Sequence, residues 1–212
     1  MIIDYHVGNY QSVANALDYL KYEYRISDKG KDIVNATAYI LPGVGTFGEG
    51  MKNLFNLKLI EPLCEEVLIK KKPILGICMG MQIFAKRSTE NGIHNGLGWI
   101  DGCVDRFILK SDIRVPHVGW NTLKIMKRGP KYLRVKEHSS FYFDHSYYFM
   151  CDDEYVSAKC YYGIDFVASI QKGNIFGVQF HPEKSQNAGL RLFRGFFNYL
   201  ENENNNSNKN VL

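Results

Sequence analysis

The chain has 212 residues, 45% of them hydrophobic and 23% charged, and a formal net charge of +4. That length supports one α/β domain with an ample core, and the ordinary composition excludes a fibrous or wholly disordered chain. The mild charge is spread along the sequence and gives no case for nucleic acid, and no apolar run approaches membrane-spanning length.

Met1 to Tyr5 reads as a first strand, with no signal peptide expected ahead of it. The loop through Gly8 and Asn9 leads to Ser12 as an N-cap, and Val13, Leu17 and Leu20 give helical spacing to about Tyr22. Glu23 to Ile26 forms a second strand and Asp28 to Asn35 a short helix. Ala38 to Leu41 is an apolar strand that stops at Pro42-Gly43-Val44-Gly45. Alternation at this pace predicts βαβ units and a largely parallel sheet, with functional loops at the carboxyl ends of its strands.

Helices are expected over Glu49 to Asn56 and over Ile60 to Lys71, the second closed by Lys70-Lys71-Lys72 as a solvated end facing its own dipole. Pro73 to Gln82 reads as a buried strand, a sharp turn and a helix continuing to Ala85. From Leu97 to Phe166, short aromatic and β-branched runs predict an antiparallel extension covering one side of the sheet. Phe166 to Ile170 and Ile175 to Phe180 pair as a hairpin around Lys172-Gly173-Asn174. The last helix, Ala188 to Leu200, packs through Leu190, Phe193, Phe197 and Leu200. Residues 1–200 thus make one domain without repeats, and Glu201 to Leu212 is an Asn-rich tail expected to be disordered.

Chemistry gathers at Gly76-Ile77-Cys78-Met79-Gly80, which has the spacing of a G-x-nucleophile-x-G elbow. Such a turn is crowded and needs residues without a Cβ. It also aims a helix N-terminus at the cysteine, favouring a thiolate, and places the Met79 N–H to stabilise an oxyanion. A buried structural cysteine fits the elbow equally well when the elbow is taken alone.

A second signal is His181-Pro182-Glu183. Pro182 keeps His181 extended, so His181 and Glu183 share a face and the carboxylate can orient the imidazole. Cysteine, base and orienting acid make a triad, recognised by roles and not by chain order. The five cysteines show no CxxC or Cys/His metal spacing, so no metal site is assigned and reduced thiols in a cytoplasm are expected.

The elbow and His-Pro-Glu together resemble the class I glutamine amidotransferases. Asp4-Tyr5 with Gly8-Asn9, the block from Leu41 to Gly48, Val115 to Asn121, His145-Ser146-Tyr147-Tyr148, and Phe176 to Gln186 resemble the glutaminase subunits of imidazole glycerol phosphate synthases. The resemblance runs from the first strand to the last helix. It implies a flavodoxin-like fold, no cofactor, and L-glutamine hydrolysed to glutamate and ammonia by Cys78, His181 and Glu183.

By the same resemblance, the Val44-Gly45 loop adds an oxyanion N–H beside that of Met79. Gln82, Gly43, Glu90, His145, Ser146 and Tyr147 hold the substrate. Asn9, Pro116, His117, Trp120, Asn121 and Lys184 face a (β/α)₈-barrel synthase subunit in a one-to-one heterodimer. That partner would use the ammonia to form imidazole glycerol phosphate and aminoimidazole carboxamide ribotide. A closed path between the subunits is implied, because free ammonia at neutral pH becomes ammonium and loses its nucleophilicity.

His6 and Tyr10 in the first loop, Asp144 before His145, and Gly129 to Ser140 depart from the family pattern. They leave open a paralogue that feeds an amidotransferase making acetamidino surface sugars. A more distant alternative is a flavodoxin-like thiol hydrolase.

Overall fold

The computed structural model describes residues 1–110, 113–126, 135, 136 and 138–209, the last seven as backbone only. Its first half alternates strand and helix: β1 (Ile2–Ile3), α1 (Tyr10–Leu20), β2 (Ile26–Ser27), α2 (Gly30–Asn35), β3 (Tyr39–Gly43), α3 (Phe47–Asn56), α4 (Ile60–Cys64), β4 (Ile74–Cys78) and α5 (Met79–Gln82). Short strands follow: β5 (Arg87–Ser88), β6 (His94–Asn95), β7 (Gly102–Arg106), β8 (His117–Thr122), β9 (Lys124–Ile125), β10 (Ser140–His145), β11 (Tyr147–Cys151), β12 (Val156–Tyr162), β13 (Ile164–Lys172) and β14 (Ile175–Val178). A 3₁₀ turn at Pro182–Lys184 and α6 (Gln186–Lys209) complete the chain.

The main sheet runs β2-β1-β3-β4-β14-β13-β11-β7-β5-β6, with β12 joined to β13 and β9. Its first five strands are parallel. This is the mixed α/β architecture expected, with a mostly parallel centre. β3, β4 and β14 are buried at every position, so their sequences read as unbroken apolar runs in a sheet covered on both faces. Alternate residues serve two cores. Leu75, Ile77, Phe176 and Val178 pack with Val13, Leu17 and Phe193 of α1 and α6. Tyr39, Leu41 and Ile74 pack with Ile33, Leu54 and Leu63 of α2 to α4. The result is three layers with the sheet in the middle.

Register then places the chemistry. Gly43 lies opposite Cys78 and Ile77 opposite Val178, so β3, β4 and β14 deliver Gly43, Cys78 and the segment after Val178 to one carboxyl edge. β13 and β14 form the expected hairpin, which carries His181 there.

Several elements differ from expectation. Asn9, not Ser12, caps α1: its side chain accepts from the Ser12 N–H at 3.1 Å, asparagine being as effective a cap as serine. The helix beginning at Ile60 widens to a π-helical turn over Glu65–Ile69. Lys70 and Lys72 at its end are not merely solvated, because both hold the buried Glu66 carboxylate, at 2.6 and 2.5 Å. The antiparallel strands mostly prolong the main sheet at its edge instead of covering a face, and β8 with β10 forms a separate ribbon. In α6 the fully buried apolar side chains are Leu192, Phe193 and Phe196, with Leu190, Phe197 and Leu200 partly buried around them, a wider stripe than one row of side chains. The backbone of α6 stays helical to Lys209, inside the stretch expected to be a disordered tail. Once packed turns nucleate a helix, each further residue adds a hydrogen bond without needing an apolar partner. Residues 210–212, and residues 129–134 and 137 of the divergent stretch, lie outside the described residues.

Candidate active site

β4 ends in a backbone turn at Cys78 with φ 55° and ψ −115°, a conformation that L-residues rarely adopt. Crowding explains the flanking glycines: a Cβ on Gly76 would meet the Phe84 ring at 2.6 Å, and one on Gly80 the Leu41 carbonyl oxygen at 1.9 Å. The elbow expected from sequence is therefore present. The helix after it is shorter than expected, stopping at Gln82 and not Ala85, and one turn of aligned peptides carries little macrodipole. Stabilisation of a thiolate here rests on individual donors.

His181 enters from β14 and is fixed by the backbone, its N–H donating to the Tyr142 carbonyl at 2.8 Å. Its Nδ1 lies 2.7 Å from Glu183 Oε1, with both side chains almost fully buried. The other side of the imidazole lies toward Cys78, and the two line one cavity. Burial alone would lower the His181 pKa. The negative charge and hydrogen bond of Cys78, then Glu183, outweigh it and raise it to about 10. The triad geometry sets the imidazole between the Cys78 sulfur and the Glu183 carboxylate, which suits attack on an acyl carbon.

A cavity of about 280 Å³ opens over Cys78 and His181. Val44, Gly45, Met79, Gln82, Glu90, His145, Ser146 and Tyr147 all line it, so nearly every residue assigned to the oxyanion loop or substrate lies on its wall. Gly43 and Glu183 stand behind the wall. Gly43 is packed so tightly against α5 that a Cβ would meet the Gly80 N at 2.5 Å. Gly45, with φ 116°, sits where a peptide can rotate to present its N–H. Glu90, placed by the β5–β6 hairpin, accepts from the Phe47 N–H at 2.7 Å and so clasps the turn that follows Gly45.

The residues assigned to a partner face divide. Pro116 and the departing Asp144 line the cavity, and Trp120 is 49% exposed on the outer side of β8. Lys184 places its ammonium 5.5 Å from the Tyr142 ring centroid. Asn9 is engaged as a helix cap, and His117 turns inward and is buried. Among the described residues no group of three or more His, Cys, Asp or Glu side chains is placed to hold a metal ion, and none of the five cysteines is paired.

Sequence reasoning missed Gln179. It is fully buried, and its Nε2 lies 3.7 Å from Cys78 Sγ. The signal was a polar residue two before His181 in an otherwise apolar strand, hence on the same face as the base. It missed as well that His117 and His145 form a buried pair, Nδ1 to Nε2 at 3.1 Å. Tyr147 O, which can only accept, is 2.8 Å from His145 Nδ1, so that nitrogen carries the proton and Nε2 accepts from His117. His117 Nε2 in turn faces the Asn121 amide at 3.5 Å.

Burial lowers both pKa values, to about 4 for His117 and about 3 for His145. Both stay neutral when folded but take up a proton below about 6.5 when unfolded, so their contribution is present above that pH and lost as pH falls toward 4 and 3. His181, raised instead, contributes fully below 6.5 and loses this only as pH climbs through about 10. Stability in urea is therefore expected to fall by on the order of 2 kcal/mol between about pH 7 and pH 5. Equal stability at both would contradict the neutral pair.

The glutamine amidotransferase class-I family model matches residues 1–199. Imidazole glycerol phosphate synthase subunit HisH 1 of Campylobacter jejuni is 51% identical over 195 residues, 92% of this chain and 97% of that relative. Subunit HisH 2 of Vibrio vulnificus is 44% identical, covering 95% and 94%. Among solved structures, a chain of PurLQS from Thermotoga maritima superposes with a TM-score of 0.69 at 20% identity, covering 94% of this chain and 97% of that one, a likeness of fold.

Proposed function

Since this chain belongs to the class I glutamine amidotransferases, we propose that Cys78, His181 and Glu183 are the triad with which it hydrolyses L-glutamine to glutamate and ammonia. It is the glutaminase of an imidazole glycerol phosphate synthase, acting in histidine biosynthesis. The observation that carries the triad is the meeting of Cys78 at the end of β4 with the Glu183-held His181 beyond β14, over a cavity lined by the expected substrate residues.

The Cys78 thiolate attacks the side-chain amide carbon of glutamine, and the N–H groups of Met79 and the Val44-Gly45 loop hold the oxyanion. His181, already protonated, gives its proton to the departing ammonia, then takes one from the water that opens the thioester. Glu183 keeps the ring aligned throughout. Gln82, Gly43, Glu90, His145, Ser146 and Tyr147 shape the substrate site. We take Val44 and Gly45 as a switch that completes the oxyanion hole when the partner docks.

The receiver of ammonia is a (β/α)₈-barrel synthase subunit in a one-to-one complex, docked over the cavity mouth at Pro116 and Trp120 and flanked by Asn9, His117, Asn121 and Lys184. One amidotransferase domain occupies residues 1–200, supported by the family match over 1–199. Five unpaired cysteines support a reducing, cytoplasmic setting. The relatives' names favour the histidine pathway over the surface-sugar branch.

The test is glutamate release by this subunit alone, then with a histidine-pathway synthase subunit and its nucleotide ligand. Large stimulation by both together is expected. Activity indifferent to that partner would contradict the pathway, and none with any partner would contradict the triad.

A further inference from the structure

We propose that Gln179 is a catalytic residue: its side-chain N–H holds the Cys78 sulfur in the charged form, and a one-way chain of hydrogen bonds through residues of the pocket wall leaves it no other orientation. The inference rests on Cys78 being the nucleophile. Its starting point is the single-turn α5, too short for the helix dipole to be the main support of a thiolate.

Direction is set at the Tyr147 carbonyl, an obligatory acceptor. It receives His145 Nδ1 at 2.8 Å and Gln82 Nε2 at 2.9 Å, filling both of its lone pairs. Gln82 must therefore present its nitrogen to this side, and the same nitrogen donates to Gln179 Oε1 at 3.0 Å. With its oxygen so engaged, Gln179 has only its nitrogen to offer Cys78 Sγ, at 3.7 Å. Turning Gln179 over would set two donors against each other at Gln82 and an oxygen lone pair against the sulfur. Turning Gln82 over would oppose two carbonyl oxygens.

Burial makes the orientation costly to violate, since Gln179 is fully enclosed and Gln82 is 5% exposed. Apart from the triad's own His181, the sulfur's other neighbour is the Asp144 carbonyl at 3.9 Å, which accepts from a thiol but offers a thiolate nothing. Gln179 thus selects the charged form against Asp144. His145, locked by His117 on its far side at 3.1 Å, is a positioning residue acting through Tyr147.

The experiment reads the sulfur directly. Alkylation of Cys78 by iodoacetamide in the free subunit, followed by mass mapping of the Cys78 peptide, is measured across pH for the wild type, Q179M and Q179E. Methionine keeps the shape without the donor, and glutamate adds a charge that opposes the thiolate. Q179M is expected to react about tenfold more slowly near neutral pH, its profile displaced upward by about one pH unit, with Q179E displaced further. Overlapping profiles for the wild type and a cooperatively unfolding Q179M would overturn the proposal, as would a smaller shift for Q179E than for Q179M. In case the variants do not fold, the Gln179 side-chain amide resonance of the wild type is followed by ¹⁵N NMR. It is expected to move across the pH range in which alkylation turns on, and a resonance that stays fixed would overturn the assignment. Neither arm needs glutamine or a partner, so failure here is distinguishable from failure of the glutaminase reading.

Discussion

Replacing Cys78 with alanine is expected to abolish glutamine-dependent synthesis in the assembled complex, by on the order of 10⁴-fold or more, while synthesis fed by ammonium salt proceeds as in the wild type. Cys78 is buried, but the substitution removes only a sulfur from the edge of a cavity that is already open, so little packing is lost. Alanine accepts the φ of 55° no worse than cysteine does, and Gly76 and Gly80 keep the elbow's close contacts. Loss of both activities with the complex intact would contradict transfer of ammonia between two sites.

The second large effect is on stability. Gly80→Ala is expected to cost about 3 kcal/mol or more, read as a drop in the urea midpoint, because the new Cβ would stand 1.9 Å from the Leu41 carbonyl oxygen and 2.9 Å from its carbon. Both are backbone atoms of β3, so no rotamer relieves the overlap and α5 must lift from the sheet. That movement would carry the Met79 N–H away from the cavity, so glutaminase activity should fall even where the variant remains folded. Gly98→Ala supplies the control. Its φ of 67° is strained for alanine but no atom lies within 4 Å of the new Cβ, so a cost of about 1 kcal/mol is expected. Equal midpoints for the two variants would show that crowding is not what the elbow glycines serve.

Much of this was legible before any coordinates. The unbroken apolar runs of β3 and β4, the glycines bracketing Cys78 and the pairing of His181 with Glu183 follow from local rules, since two-residue periodicity and a Cβ-free turn are properties of neighbours in sequence. Less legible were features decided by distant parts of the chain. Asn9 and Ser12 are both good caps, and only the path of the loop chooses between them. Glu66 and Lys70 stand four apart, a spacing the sequence shows, but that Glu66 is buried and that Lys72 also reaches it is decided by how the helix packs and where the chain goes after it. That His117 is buried against His145 follows only from the pairing of β8 with β10. Gln179 passed as one more strand residue, since its importance lies in which atoms Gln82 and Tyr147 have left to give.

The central claim, that Cys78 is the group that attacks glutamine, is tested most directly with a glutamine-like chloroketone, whose ketone occupies the amide position and whose neighbouring chloromethyl carbon bonds to the attacking sulfur with loss of chloride. After incubation with the subunit in complex with its synthase partner, peptide mass spectrometry is expected to find one adduct, on Cys78, blocked by excess glutamine and absent from H181A. Stoichiometric, glutamine-protected labelling of Cys64, Cys103, Cys151 or Cys160 instead, or none at all, would contradict the account.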